Sequence, residues 1–450
     1  MKIEDIKANN AKQMLHPMTA PYMTKANKPM IIARGDGVYV WDIDGNKYLD
    51  SQGGLWCVNV GYNRPEMIKA ITEQVSTLPY YQTFTEFSNP PAIELSAKLI
   101  SMLEPEGMRK VLFTSGGSDS VETALKMSRH YWKLKGQPEK TKYISLKNAY
   151  HGVHLGGTSV TDTGVHKRAF EPVLPGCYQI DSPFTYRNPW TEDPEELGAI
   201  CAGILEREIQ SQGPDMVAAF IAEPVQGAGG VIVPPANFWP LVREVCDRYD
   251  VLLIADEVVT GFGRTGNLFG SRGWGVKADI MCFAKGLSSA YVPLGAAVFN
   301  EKVAAAFDLE SPHAMIMHGF TYSGHPVGCA AGLASLGIVE KEALPDNARV
   351  VGAYMMEQLK PFEERYRSVG EVRGKGLMLA LDLVVDKKTR QSVDPLGGFS
   401  KKLANVAERE GVLVRAVGPK LIISPPLTFT CENVDELTAA LTKAFDEVDK

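Results

Sequence analysis

Little in this 450-residue chain points toward a polyanion, a membrane or a metal. The net charge is -6 and no basic block carries interleaved aromatics, so a nucleic-acid partner has no electrostatic footprint. No stretch approaches the roughly 18 uninterrupted apolar residues of a membrane span. The opening segment, MKIEDIKANNAKQMLHP, has no apolar run of the kind that directs export. Seven cysteines (Cys57, Cys177, Cys201, Cys246, Cys282, Cys329 and Cys431) are odd in number, scattered and without any C-x-x-C pair, which suits a reducing cytoplasm and argues against zinc. No internal repeat or low-complexity linker stands out. A cytoplasmic protein with neither nucleic-acid nor membrane partners is expected.

What is present reads as a globular chain too long for one core of ordinary size, with 45% hydrophobic residues. Residues 31–50, IIARGDGVYVWDIDGNKYLD, alternate apolar and polar positions around turn signals at Gly35-Asp36-Gly37 and Asp44-Gly45, which predicts hairpins. Asp42, Asp44 and Gly45 resemble a fragment of a calcium loop, but the later acidic ligands are missing and a plain turn is expected. From about residue 60 to 325, short apolar runs alternate with amphipathic helices. The runs are KVLFT (110–114), KYISL (142–146), MVAAFIA (216–222), VLLIA (251–255) and DIMCF (279–283), with helical patterns at 119–133 and 237–249 among them. That alternation specifies an α/β layer with a mostly parallel sheet. The remainder, with a small-residue helical run, VRGKGLMLALDLV, a helix near 399–410, GVLVRAVGPKLIISPPL and a helix over 433–448, predicts a smaller α+β domain. The expected division is 1–60 as an N-terminal segment packing with the small domain, 61–325 as the large domain and 326–450 as the small domain.

In parallel sheets, ligands gather at the carboxyl ends of the strands. Here five consecutive strand ends deliver Ser115-Gly116-Gly117-Ser118, Tyr150-His151-Gly152, Glu223, Asp256 and Lys285. Each alone has a bland explanation as a turn, a cap or a solvated charge. Together they form a chemical set. The Gly-rich turn before a helix can hold a phosphate through backbone N–H groups, the Ser118 hydroxyl and the helix dipole. Tyr150 offers a face for a flat ring, and Asp256 a carboxylate that burial permits only when it is paired. Lys285 supplies an amine whose pKa burial would lower, with Gly286 expected to leave room for a ligand. Phosphate, ring, carboxylate and amine are the attachments that pyridoxal 5'-phosphate (PLP) requires. The rival GFGRTG at 261–266 matches a dinucleotide fingerprint, but a Gly-rich stretch follows it instead of a helix and no acidic residue stands about 20 positions on. It is expected to be a flexible or tightly turned loop beside the cofactor. His151 and His154 lack helical spacing and a third ligand, so no metal is expected.

These residues are similar to those of the class III aminotransferases, PLP-dependent enzymes of fold type I, and in particular the ω-amino acid (amine):pyruvate transaminases. The resemblance runs from LHPMT near residue 15 to PPLTFT near 430, and its core is ADEVVTGFGRTG with Asp256, then AKGL with Lys285 29 residues later. It implies that Lys285 holds the cofactor covalently and shuttles a proton between substrate Cα and cofactor C4', while Asp256 keeps the ring nitrogen protonated. Tyr150 and Val258 would pack on opposite ring faces. Gly117 and Ser118 would bind the phosphate, with Phe320 and Thr321, in HGFTYSGHP, completing the cup from the other subunit of a homodimer. Whether dimers pair into tetramers stays open. Leu55 and Trp56, in GGLWCVNVGY, Phe84, Tyr150 and Val153 match pocket-lining positions. Arg415, in GVLVRAVG, matches a mobile arginine that grips a substrate carboxylate. Glu223, in AEPVQG, would gate that arginine or support the cofactor.

The chain also departs from the family pattern. The usual Asn-Ser-Gly-Ser phosphate loop is Ser115-Gly116-Gly117-Ser118, which removes a side-chain contact. Asp119 replaces a Glu, and Val259 stands where relatives acting on ornithine or 4-aminobutyrate have Gln, which favours the pyruvate-linked branch. The implied activity is transfer of an amino group from an ω-amino acid or primary amine to pyruvate in a ping-pong cycle. An aminomutase or racemase on the same fold is the alternative; a non-enzymatic scaffold is disfavoured by the joint presence of Lys285 and Asp256.

Overall fold

The computed structural model describes residues 1–26, 29–162 and 164–450. Three strands near the N-terminus, β1 (Ile32–Asp36), β2 (Tyr39–Asp42) and β3 (Lys47–Asp50), form antiparallel hairpins where the alternating pattern predicts them. Asp42 closes the second turn by accepting the N–H groups of Asp44 at 3.0 Å and Asn46 at 2.8 Å, so this acidic cluster is a turn.

The centre of the molecule is a seven-stranded sheet built from β4 (Met108–Thr114), β5 (Lys142–Leu146), β6 (Cys177–Ile180), β7 (Val217–Ala222), β8 (Leu252–Asp256), β9 (Ile280–Phe283) and β10 (Gly295–Asn300). Their order across the sheet is β4-β10-β9-β8-β7-β5-β6, and β10 alone runs antiparallel to its neighbours. β7, β8 and β9 are buried at every position, which explains why they read as unbroken apolar runs rather than alternations. Successive residues still serve opposite layers. Phe220, Leu253, Ala255, Met281 and Phe283 face a core completed by helices Pro90–Met102, Pro194–Gln212 and Phe238–Arg248. Ile221, Leu252, Ile254, Ile280 and Cys282 face helix Gly117–Leu134, whose Val121, Leu125, Tyr131 and Trp132 form the second layer. The Trp132 indole N–H fixes that helix to the sheet by donating to the Ala218 carbonyl at 2.8 Å.

The C-terminal part holds β11 (Val369–Gly374), β12 (Leu379–Asp386), β13 (Gln391–Ser392), β14 (Val412–Leu413), β15 (Arg415–Val417) and β16 (Lys420–Ile423). β11-β12-β16-β15 form an antiparallel sheet with β13 at its side, and β14 leaves it to pair in parallel with β3 of the N-terminal hairpins. Helix Pro326–Lys341 bridges the two cores: Cys329 and Leu336 join the large-sheet core, Ala331, Ile338 and Val339 the C-terminal one. None of the helices among the described residues is long and apolar enough to cross a membrane.

The GFGRTG segment is tightly turned. Phe262 and Gly263 adopt left-handed backbone (φ 61° and 106°), and the next residue, Arg264, is completely buried. Its guanidinium donates to the carbonyls of Leu377, at 2.9 Å, and Pro425, and to Asn59 Oδ1 at 3.0 Å, joining the N-terminal segment, the large sheet and the C-terminal part. Burial pushes its pKa down to about 9. Replacing Arg264 by Leu leaves these acceptors unsatisfied and is expected to cost about 3 kcal/mol, read as a fall in Tm. Arg109→Leu, which removes an exposed partner of Glu301, is expected to leave Tm unchanged within error.

Candidate active site

At the carboxyl ends of the central strands, the polar residues converge because β7, β8 and β5 run parallel and stop together. Asp256, the last residue of β8, is 4% exposed, and its Oδ2 lies 2.7 Å from Nδ1 of the fully buried His151. An ionised carboxylate can only accept, so Nδ1 carries the proton and donates to it. The N–H of Val258 supplies a second donor to Oδ1 at 3.1 Å. Glu223, just past β7, accepts from the N–H of Tyr150 at 3.0 Å and of Gly227 at 2.8 Å, and burial pushes its pKa up to about 7.

Lys285 sits two residues beyond the end of β9 with φ 44°, a left-handed backbone that a residue bearing a Cβ seldom adopts. It is half-buried, and its ammonium makes no hydrogen bond or ion pair among the described residues. Desolvation lowers its pKa; Cys57, Asp256 and Glu223 act against that shift, and Arg415 adds to it. Burial raises the pKa of the Cys57 thiol. Gly286 does not make room for a ligand: a Cβ there would meet Asn59 Nδ2 at 2.3 Å, so the missing side chain admits Asn59, the same residue that Arg264 holds.

The strand-to-helix turn after β4 forms a cradle. Helix Gly117–Leu134 starts from Gly116 without any side-chain cap, leaving its first N–H groups and the positive end of its dipole open. A Cβ on Gly117 would press on Val258 Cγ1 at 2.8 Å, and one on Gly152 (φ 102°) would strike Ser118 Oγ at 2.6 Å. Ser118 Oγ accepts the Val153 N–H at 3.1 Å, which joins this turn to the end of β5. The two glycines thus let Val258 pack on Gly117 and the Ser118 turn pack on Gly152.

Around this centre stand Tyr150, half-buried with its ring 5.4 Å from the His166 imidazole, and Arg415, half-buried at the start of β15. The Arg415 guanidinium makes no ion pair or hydrogen bond among the described residues, and burial lowers its pKa, with Tyr150 and Cys57 the groups acting against that. Glu223 makes no ion pair with it among the described residues; its two carboxylate oxygens each accept a backbone N–H. Val153 and Leu55 are exposed at 61% and 49%. Trp56 is buried with φ 65° and packs on Val225, Val231, Met378 and Ile422, with Val259 against the same cluster.

Phe84, Phe320 and Thr321 gather elsewhere in the chain. Gly319 packs on the Phe84 ring, where a Cβ would come within 3.0 Å of Cζ, and the Tyr80 hydroxyl donates to the Thr321 carbonyl at 2.7 Å. Phe84 is thus joined to the 318–324 segment, with no interaction with Lys285 or Asp256 among the described residues. This exposed apolar patch also includes Phe87, Met317 and Tyr322.

The model of the class-III aminotransferase family matches residues 22–445. The chain belongs to that family. Over 448 residues, spanning 99% of this chain and 97% of the relative, it is 41% identical to a putrescine–pyruvate aminotransferase of Pseudomonas aeruginosa. A diaminobutyrate–2-oxoglutarate transaminase of Halomonas elongata is likewise 41% identical, covering 93% of this chain and 90% of its own. An amine transaminase from an uncultivated Pseudomonas species, solved with PLP bound, superposes with a TM-score of 0.95 at 54% identity, covering 97% of this chain and 99% of that one.

The aminotransferase has the fold of the PLP-dependent type I transferases, and its cofactor is pyridoxal 5'-phosphate. The residues present fit that group: a helix start without a side-chain cap, a half-buried amine with no partner among the described residues and a carboxylate at the end of β8. His151 as the donor to Asp256 is the residue that motif reading passed over. His151 stands among the strand-end residues, but its partner lies 105 positions away and nothing local marks the pair. Gly117→Ala is expected to push the helix start off Val258 and to weaken PLP binding about tenfold, measured by titrating cofactor into the apo form.

Proposed function

We propose that this aminotransferase takes the amino group from a terminal or non-α primary amine and passes it to pyruvate, working as a homodimer in the cytoplasm. When bound, PLP supplies a ring that accepts the electron pair left on the substrate carbon after proton loss. The chain's own groups do the rest. Asp256, oriented by the His151 N–H, would pair with the ring nitrogen and keep it protonated. Lys285, its pKa lowered by burial, binds the cofactor and moves the proton between substrate Cα and cofactor C4'. The Gly117 and Ser118 turn anchors the phosphate, Tyr150 and Val258 pack on the two ring faces, and Glu223 stiffens the strand ends by joining Tyr150 to Gly227.

One observation carries the substrate reading: Arg415 stands beside Tyr150 with a half-buried guanidinium and no acidic partner among the described residues. A planar guanidinium in that setting grips the carboxylate of a 2-oxo acid through two parallel bonds, and can turn aside for an amine without one. Val259 joins the Trp56 cluster as an apolar wall where a Gln would add a polar group, which supports pyruvate rather than a dicarboxylic acceptor. The relative named for putrescine and pyruvate supports a diamine among the donors; β-alanine, longer ω-amino acids, taurine and arylalkylamines share the same terminal amine. Leu55, Trp56 and Val153 line the pocket, and Phe84 enters it from the partner subunit together with Phe320 and Thr321. The seven free thiols support the cytoplasmic setting.

A donor panel with pyruvate as fixed acceptor is expected to yield alanine with putrescine, β-alanine and 1-phenylethylamine, and much less product with 2-oxoglutarate. Isomerised amine without alanine would identify a mutase or racemase instead. Arg415→Met is expected to raise KM for pyruvate about tenfold or more while the half-reaction with 1-phenylethylamine changes little.

A further inference from the structure

We propose that His318 is a positioning residue that ties the phosphate-binding helix of one subunit to the Phe320–Thr321 segment completing the partner's cup. The inference rests on the shared cup proposed above and adds what holds its second half in place.

Helix Gly117–Leu134 starts at the phosphate turn, and two of its later residues reach the 318–321 segment. His318 Nε2 lies 2.8 Å from Thr123 Oγ1, and His318 Nδ1 lies 2.9 Å from Lys126 Nζ. The roles are fixed by elimination. Thr123 has one hydroxyl proton and donates it to the Asp119 carbonyl at 2.7 Å, so toward His318 it can only accept. An ammonium can only donate, so Nδ1 must present its lone pair. His318 is therefore the neutral imidazole with its proton on Nε2, and the protons run in one direction from Lys126 through His318 and Thr123 to Asp119. That residue lies two positions beyond Gly117, and its carboxylate closes the phosphate turn by accepting the Ser115 N–H at 3.0 Å and meeting His154 Nε2 at 2.5 Å.

At its other edge the imidazole meets the Phe320 ring in a T-shaped contact with centroids 5.2 Å apart. The Phe320 N–H donates to Ser323 Oγ at 3.0 Å and Thr321 is held through its carbonyl by Tyr80, so His318 is the side chain linking this turn to the helix. The ring is half-buried. Besides burial, the charges acting on it are Lys126, which disfavours its protonation, and Asp119, which favours it and is itself engaged by His154. Protonation would remove the lone pair that accepts from Lys126 and set two cations within hydrogen-bond distance. Because burial and Lys126 lower the pKa below the ordinary 6.5, the tie is intact at neutral pH and is lost only as pH falls below the ordinary imidazole range.

The test is PLP binding to the apo forms of wild type, His318→Phe, Lys126→Met and Thr321→Ala, followed by protein fluorescence from about pH 5 to about pH 8.5, with Tm recorded for each. At about pH 8, His318→Phe, which keeps the ring against Phe320 but loses both hydrogen bonds, is expected to bind PLP about tenfold more weakly. Wild type should also show a loss of affinity in mild acid that His318→Phe lacks. Lys126→Met, which alters only an exposed side chain, should move that step to higher pH by removing the repelling charge. Thr321→Ala binding more weakly while the His318 and Lys126 variants keep the wild-type constant and pH profile would overturn the inference and leave the shared cup standing. Thr321→Ala binding as tightly as wild type would overturn the shared cup and the inference with it.

Discussion

The site depends on a charge placed where water cannot reach it. Asp256 ends a strand buried at every position, where a carboxylate needs donors, and His151 and the Val258 N–H supply them. The same packing that excludes water from β8 also fixes the direction in which the carboxylate points. A pyridinium nitrogen set against it would stay protonated, which is the condition for the ring to withdraw electrons. Lys285 answers the same constraint from the neighbouring strand. Its ammonium has no partner among the described residues, and burial outweighs the nearby acidic groups that act against it, which favours the free amine.

The fold supplies these placements cheaply because parallel strands of similar length end together. Three of the strand ends bring one charged group each, and cross-links between loops then hold the rim. Glu223 joins the end of β5 to the loop after β7, Ser118 joins the phosphate turn to Val153, and Arg264 ties the segment after β8 to Asn59 and the C-terminal part. Asn59 in turn occupies the space left by Gly286, so the backbone around Lys285 is braced from behind by the N-terminal segment.

Much of this was legible in the sequence, and the reason is physical. Strands buried on both faces leave unbroken apolar runs, so β5, β7, β8 and β9 could be placed within two residues of their observed ends, while the edge strand β4, exposed at Arg109 and Lys110, was legible only through its apolar second half. β6, CYQI, is too short and mixed to stand out, and β10, GAAVFN, is rich in small residues whose burial serves close packing against two antiparallel neighbours. Residues delivered to one rim by successive strand ends were legible through their chemistry. Pairs that touch each other across the chain were not. Nothing near His151 announces Asp256, and nothing near Arg415 announces that Glu223 is engaged elsewhere. Gly286 shows the opposite error: a glycine beside a reactive lysine invites the idea of room for a ligand, whereas the space is filled by a side chain more than 200 positions away.

The central claim is that the amine of Lys285, and no other in the chain, is the one the cofactor binds. Reducing the PLP-loaded enzyme with borohydride, digesting it and locating the pyridoxyl group by mass spectrometry tests this directly. The account requires the label on the peptide containing Lys285; a label on any other lysine, or none on Lys285, would contradict it.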